Sequence, residues 1–348
     1  MKIGIVGLAQ SGKSTVFAAA CGFSTTDGKI SSRANIQVPD PRLEVLAKLE
    51  NSKKMINAEI EILDSDMRSD SNKSAGAAAG VTGDLQLVDA LILTLDSFTG
   101  ARDPRVDFKT VIDEMILYDL TQIDSAIPRL EKIVLSGAAR ERKGELEVLK
   151  KLHAALEEEK PLLELDLSPA EETEVRGYTL VSRKPLLIVV NIAEDNLSSV
   201  GELTDSWQDV VSPGRREVAV LCGKIEMELA QMESEDRELF MEDLGIKNSA
   251  VDMVIQKSYQ LLGLISFFTA GEKETRAWTI RKGQSAQKAA GVIHTDLERG
   301  FIRAEVIGYD NYVVCETVAE ARRTGKLGIE GKEYVVQDGD VLNIRFNV

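Results

Sequence analysis

Gly7, Gly12, Lys13 and Ser14 stand in the spacing Gly-x-x-x-x-Gly-Lys-Ser, directly after the apolar run Ile3-Gly4-Ile5-Val6. Each residue type answers the charge of a polyphosphate. Glycine lets the backbone wrap an anion with no Cβ in the way, and successive N–H groups of such a loop point inward. Lys13 would reach the β- and γ-phosphates, and Ser14 would give its hydroxyl to Mg2+. The helix starting there would turn its partly positive N-terminus to the anion. Leu8, Ala9, Gln10 and Ser11, with Thr15, complete the expected phosphate loop. An ordinary strand-turn-helix would account for the glycines but not for the Lys-Ser-Thr run.

A phosphate loop needs a sheet to hold it and a carboxylate beside it. Glu59-Ile60-Glu61-Ile62-Leu63-Asp64 alternates and ends in aspartate, so Asp64 is the candidate to hold Mg2+ through water from a strand end. Val88 to Leu95 and Pro185 to Asn191 are apolar runs of strand length, suited to central strands of a covered parallel sheet, and Val218 to Leu221 is a shorter one. Strands alternating with helices predict a doubly wound α/β domain with its ligand at the C-terminal strand ends. Ser24 to Asn35 and Ser65 to Gly83 are polar or small-residue stretches and read as mobile loops.

The chain has 348 residues, too many for one ordinary domain. No apolar run reaches the roughly 18 residues of a membrane span. The N-terminus enters the first strand with no leader pattern, so a cytoplasmic protein is expected. Cys21, Cys222 and Cys315 lack metal or disulfide spacing and read as small apolar residues. The net charge of −15 argues against general coating of nucleic acid. From Leu264 to Val348 there are 12 basic and 12 acidic residues, so any RNA contact is expected at that end.

Between two core strands, about Val106 to Leu135 and Gly144 to Glu159 show helical spacing. Ile112, Met115, Ile116, Asp119, Ile123, Ile127, Leu130 and Val134 mark one stripe; Leu146, Leu149, Leu152 and Leu156 mark another. The pair should run antiparallel across Ser136 to Arg140, as a helical insertion some 45 Å long at 1.5 Å per residue. Ser168-Pro169 begins a further capped helix. After Leu264, short alternating stretches between Gly-rich turns predict a small, mostly β domain. Gln337-Asp338-Gly339-Asp340 reads as a tight hairpin turn. The expected domains are 1–105 with 184–263, 106–183, and 264–348.

Phe267-Phe268-Thr269-Ala270-Gly271-Glu272-Lys273-Glu274-Thr275-Arg276-Ala277-Trp278-Thr279-Ile280, then Gly291 to Asp296, and the ending Asp338-Gly339-Asp340-Val341 through Phe346-Asn347-Val348, resemble the YchF/Obg-like ATPase family. Val38-Pro39-Asp40-Pro41-Arg42-Leu43 and Leu244-Gly245 also match in place. The resemblance runs along the whole chain. It implies a TRAFAC-class P-loop core of the G-domain type, an α-helical coiled-coil insertion and a C-terminal TGS domain of β-grasp fold.

The family carries Asn-x-x-Glu where related GTPases carry Asn-Lys-x-Asp, and here the run is Asn191-Ile192-Ala193-Glu194. An aspartate can accept both guanine N–H groups; a displaced, longer glutamate cannot keep that geometry. The resemblance therefore implies ATP at least as readily as GTP, with Asn191 near the base and Cys222-Gly223-Lys224 as the base loop. It also implies ribosome or RNA partners. Arg276, Arg281, Lys282, Lys288, Arg299 and Arg303, with Trp278 and Phe301, are the candidate surface. Where the family has Asp-x-x-Gly, this chain has Asp64-Ser65-Asp66-Met67, and its first switch is shortened, with Thr25 or Thr26 as the remaining metal ligand. Ala9-Gln10-Ser11 replaces the usual Pro-Asn-Val. No side chain presents itself as a general base. The expected function is slow Mg-dependent hydrolysis; the alternative is a nucleotide-responsive binding module with little turnover.

Overall fold

Ile3, Ile5 and Val6 form a first strand with almost no exposed surface, and everything that positions the candidate site is measured from it. The computed structural model describes residues 1–22, 33–64, 83–136, 140–246 and 248–347. The elements are β1 (Lys2–Val6), α1 (Lys13–Cys21), β2 (Arg33–Val38), α2 (Pro41–Leu49), β3 (Met55–Ile56), β4 (Ala58–Asp64), β5 (Ala90–Ser97), α3 (Pro104–Leu135), α4 (Lys143–Glu157), α5 (Pro169–Val175), β6 (Leu186–Ile192), α6 (Val200–Ser206) and β7 (Arg216–Leu221). They continue with α7 (Gly223–Leu229), α8 (Ser234–Asp243), α9 (Ala250–Leu261), β8 (Leu264–Thr269), β9 (Thr275–Arg281), α10 (Ala286–Ile293), α11 (Thr295–Arg299), β10 (Phe301–Gly308), α12 (Tyr309–Cys315), α13 (Val318–Arg323), β11 (Gly328–Glu330) and β12 (Asp340–Phe346). Contacts group Met1–Ala34 with Glu61–Val254, and Asn35–Ile60 with Ile255–Val348.

In the first unit the strands lie in the order β4-β1-β5-β6-β7, all parallel. This is the α/β P-loop architecture. Leu186 to Ile192 is buried along its whole length, as a strand covered on both faces requires. Register sets the site: Ile5 is level with Asp64, Val6 with Leu93, and Asn191 with Asp96 and Leu221. The loops after β1, β5, β6 and β7 therefore open on one edge, where β4 also ends at Asp64.

The helical stripes pack as their spacing predicts. Ile116, Ile123 and Leu130 of α3 meet Val148, Leu149, Leu152 and Leu156 of α4 in one buried cluster. Asp103 caps α3, accepting from the Arg105 amide, with Pro104 at the first helical position. Asp119, on the apolar stripe, is wholly buried and accepts from the Val181 amide (2.8 Å), the Ser182 amide (2.7 Å) and the Ser182 hydroxyl (2.6 Å). It ties the middle of α3 to the segment leading into β6. Ser168 and Glu171 form a capping box on α5.

The second unit contains a mixed sheet, β11-β10-β12-β8-β9-β3. Two expectations need correction. The C-terminal region is not mostly β, since α10 to α13 lie between its strands; each is too short for its apolar period to register in the sequence. Gln337 to Asp340 does turn, with Gly339 at φ 90° and the Asp340 amide donating to the Gln337 carbonyl. It does not close a hairpin, because β12 pairs antiparallel with β10 and parallel with β8. In this unit Arg42 bridges Asp40 (2.7 Å) and Asp338 (2.8 Å).

Candidate phosphate and base site

The loop between β1 and α1 takes its shape from three left-handed or unusual positions. Gly7 has φ 155°, Gln10 φ 66° and Gly12 φ 87°. A Cβ on Gly7 would lie 2.4 Å from the Thr94 carbonyl oxygen, so only glycine lets the loop leave the sheet beside β5. Lys13, the first residue of α1, folds back: its Nζ donates to the Gly7 and Leu8 carbonyls at 3.0 Å each. The ammonium therefore lies within the loop it serves. Ala9, Gln10 and Ser14 are exposed, and Leu8, Gly12 and Thr15 half-buried. The Ser11 side chain turns inward instead, and its buried hydroxyl has no hydrogen-bond partner among the described residues, as befits a position where the resemblance expects valine.

The Ser14 hydroxyl donates to Asp64 across 3.5 Å, which brings the two candidate Mg2+ residues together at the strand edge. Both offer oxygen, the donor a hard cation takes. Among the described residues there is no cluster of three or more His, Cys, Asp or Glu able to hold a metal. A hydroxyl and one carboxylate suit a cation whose other ligands come from phosphate and water. Burial, and then the Asp64 charge, push the Cys21 thiol up to about 12. Thr25 and Thr26, and the run from Ser65 through Met67 to Gly80, lie outside the described residues.

Asn191, 4% exposed at the end of β6, joins two loops. Its Nδ2 donates to the Ser11 carbonyl (3.3 Å), and its Oδ1 accepts from the Gly223 amide (2.9 Å). Gly12 and Gly223 both make room for it, since a Cβ on either would stand 2.1 Å or 3.1 Å from the Asn191 amide group. Lys224 pairs with Glu194 at 3.1 Å, and that hydrogen bond raises the lysine above its ordinary value. Cys222 is buried.

Sequence reasoning missed Phe98. It is 39% exposed in the turn after β5, and its ring edge would stand 3.7 Å from a Cβ at Gly12. Asp96 shapes this turn: burial raises its carboxyl, but bonds from the Thr99 hydroxyl and the Thr99 and Phe98 amides outweigh that and hold it below its ordinary value. An exposed aromatic one turn past a core strand was the available signal.

Of the candidate RNA surface, Arg276 stacks over Trp278 at 4.1 Å, while Trp278 Nε1 donates to the Thr269 hydroxyl. Lys288 is paired with Glu298, and Phe301 packs partly buried against the sheet core. Arg281, Lys282, Arg299 and Arg303 are exposed. No helix among the described residues is long and apolar enough to cross a membrane.

A family model described as "Protein of unknown function (DUF933)" matches residues 264–347. The chain is 38% identical over 365 residues to the Ribosome-binding ATPase YchF of Bacillus subtilis, covering 99% of both proteins. It is 31% identical over 375 residues to the Obg-like ATPase 1 of Gallus gallus, covering all of this chain and 92% of that one. The structure of the Schizosaccharomyces pombe YchF GTPase superposes with a TM-score of 0.86 at 28% identity, covering 99% of this chain and 97% of that one.

Proposed function

The chain belongs to the YchF/Obg-like family, and from that premise we propose that it binds ATP in preference to GTP, with Mg2+, hydrolyses it slowly, and associates with the ribosome or RNA. The observation that carries the reading is Lys13 folded back to the Gly7 and Leu8 carbonyls, inside a loop that two glycines hold open. The loop amides cradle the phosphates, and Lys13 meets the charge that grows on them during transfer. Ser14 and Asp64 hold the metal, which when bound neutralises phosphate oxygens. Asn191 sits between the phosphates and the base, and Cys222-Gly223-Lys224 with Glu194 flank the base. The 106–183 helical region as a coiled-coil arm, and 264–348 as a TGS domain, supply the ribosome-facing surfaces, with Arg276 on Trp278 as a stacking platform.

A second reading rests on Asp64-Ser65-Asp66-Met67, which lacks the glycine whose N–H would order the γ-phosphate. Occupancy would then be the signal, with little turnover. Titration of the nucleotide-stripped protein with Mg-ATP and Mg-GTP tests both; failure of both nucleotides to bind refutes them together. Phosphate release equal in wild type and Lys13→Ala would leave the binding module alone standing. Co-sedimentation with ribosomes at two salt concentrations tests the partner, because phosphate contacts weaken with salt.

A further inference from the structure

We propose that the open edge of β12 receives an extended, acidic peptide segment of a partner protein as an added strand.

β12 is paired along one edge and barely along the other. On β10 its ladder runs from Asp340 to Phe346, whereas on β8 it pairs at Val341 alone, opposite Phe268. At the end of the β10 ladder the Tyr309 amide donates to the Gly339 carbonyl. Alternation then turns the backbone groups of Val341, Asn343 and Arg345 toward β10, and those of Leu342 and Ile344 away from it. Past Phe268, β8 offers them no further pairing. The Ile344 N–H and C=O are thus a donor and an acceptor with no strand opposite, among the described residues.

A cavity of about 340 Å³ lies along this edge, and it is walled on both faces of the sheet. Ile293 and Leu297 wall it on the face where Leu342 and Ile344 join Ile293 in the core. Val318 and Leu327 wall it on the other, where Arg322 of α13 reaches Glu305. A ligand that lies in the plane of a sheet, sends side chains to both faces and answers ladder groups is an extended polypeptide. From Leu342 to Phe346 the edge runs about 13 Å at 3.3 Å per residue.

Charge selects the guest. Glu305 alone is charged among the described residues lining the cavity; buried, it accepts from Asn343 (2.9 Å), Arg345 (3.0 Å) and Arg322 (3.3 Å). Two guanidiniums face one carboxylate, so positive charge is left over. Their side chains are 52% and 61% exposed for Arg345 and Arg322, and each keeps N–H donors for a second carboxylate. A guest strand would turn acidic side chains to this face and apolar ones to Ile293 and Leu297.

Fluorescence polarisation of the full chain tests this with a capped, labelled heptapeptide alternating valine with glutamate. A second peptide carries lysine for glutamate. Two further copies are N-methylated, one at the valine amides and one at the glutamate amides, so that each keeps every side chain and loses one edge of donors. Only one set of amides faces β12, so one methylated copy should bind about tenfold more weakly than the other. The lysine peptide should bind at least about tenfold more weakly than the glutamate peptide, by loss of its charge-assisted bonds. Phe346→Asp, which puts a carboxylate on the cavity wall, should weaken the glutamate peptide with the melting curve unchanged. Methylated copies that both match the parent peptide within about twofold overturn the added strand. A lysine peptide that binds as well as the glutamate one overturns the acidic guest, and no binding of the glutamate peptide to the folded wild-type chain overturns the site.

Discussion

Replacing Gly12 by alanine should loosen the phosphate loop from the base loop, and its cost can be worked from the geometry. The new Cβ would stand 2.1 Å from Asn191 Nδ2, and Asn191 is itself buried, at 4% exposure. Alanine at φ 87° costs about 1 kcal/mol in left-handed strain. Displacing Asn191 breaks its bonds to Ser11 and Gly223, at about 1 kcal/mol each. The expected loss is about 3 kcal/mol. Asn191→Ala removes the same two bonds and should cost about 2 kcal/mol. The double variant should also lose only about 3 kcal/mol, because the clash has no partner, giving a coupling of about 2 kcal/mol. Urea unfolding followed by Trp207 fluorescence in a Trp278→Phe background reports on this unit, where Trp207 is buried edge-on to Phe108. Additive losses, or a Gly12→Ala cost below about 1 kcal/mol, would refute the bridge.

Asp119→Ala should destabilise the first unit by about 3 kcal/mol, since it leaves the Val181 and Ser182 amides buried without an acceptor; Asp119→Asn should cost less, and equal costs would contradict the assignment. Glu171 accepts from Lys151 and from the Ser168 amide, which lower its carboxyl to about 2. Because the folded value is depressed, its contribution is complete above the ordinary 4.5 and fades as pH falls toward 2. A carboxyl titration by NMR should find its midpoint near 2, and Lys151→Met should raise it; a wild-type midpoint near 4.5 would be wrong for this structure. The Cys21 thiol, pushed to about 12, should react with a disulfide reagent at pH 8 more slowly than in the urea-unfolded chain, and equal rates would speak against its half-buried setting beside Asp64.

What the sequence displayed was local. The turn from Gly7 into a helix at Lys13 could be read because its glycines and charged residue fall in a short run, and the strand end at Asp64 because alternation ends on it. The role of Asn191 was hidden. Its partners, Ser11 and Gly223, are far away in the chain, and register across β1, β6 and β7 brings them together. Gly223 was noticed as part of a base loop, but its need to be glycine follows only from the Asn191 side chain beside it. Asp119 was legible as a polar residue on an apolar stripe, though not what it binds. The Asp338-Gly339 turn misled for the opposite reason: a strong local signal fixed the turn, while non-local pairing chose the strands around it.

Asp119 also makes α3 a lever. It anchors the helix near its midpoint, and from there to Leu135 the helix runs about 24 Å at 1.5 Å per residue. A tilt of about 5° at that pivot sweeps the far end through about 2 Å. Pro128 lies on this outer half and removes the N–H that would have bonded the Asp124 carbonyl, a weak point along the shaft. The Asp124 side chain meets His153 of α4 at 2.7 Å there. The second helix thus splints the first at the turn where its backbone lacks a hydrogen bond, so that α3 and α4 resist bending there as a pair.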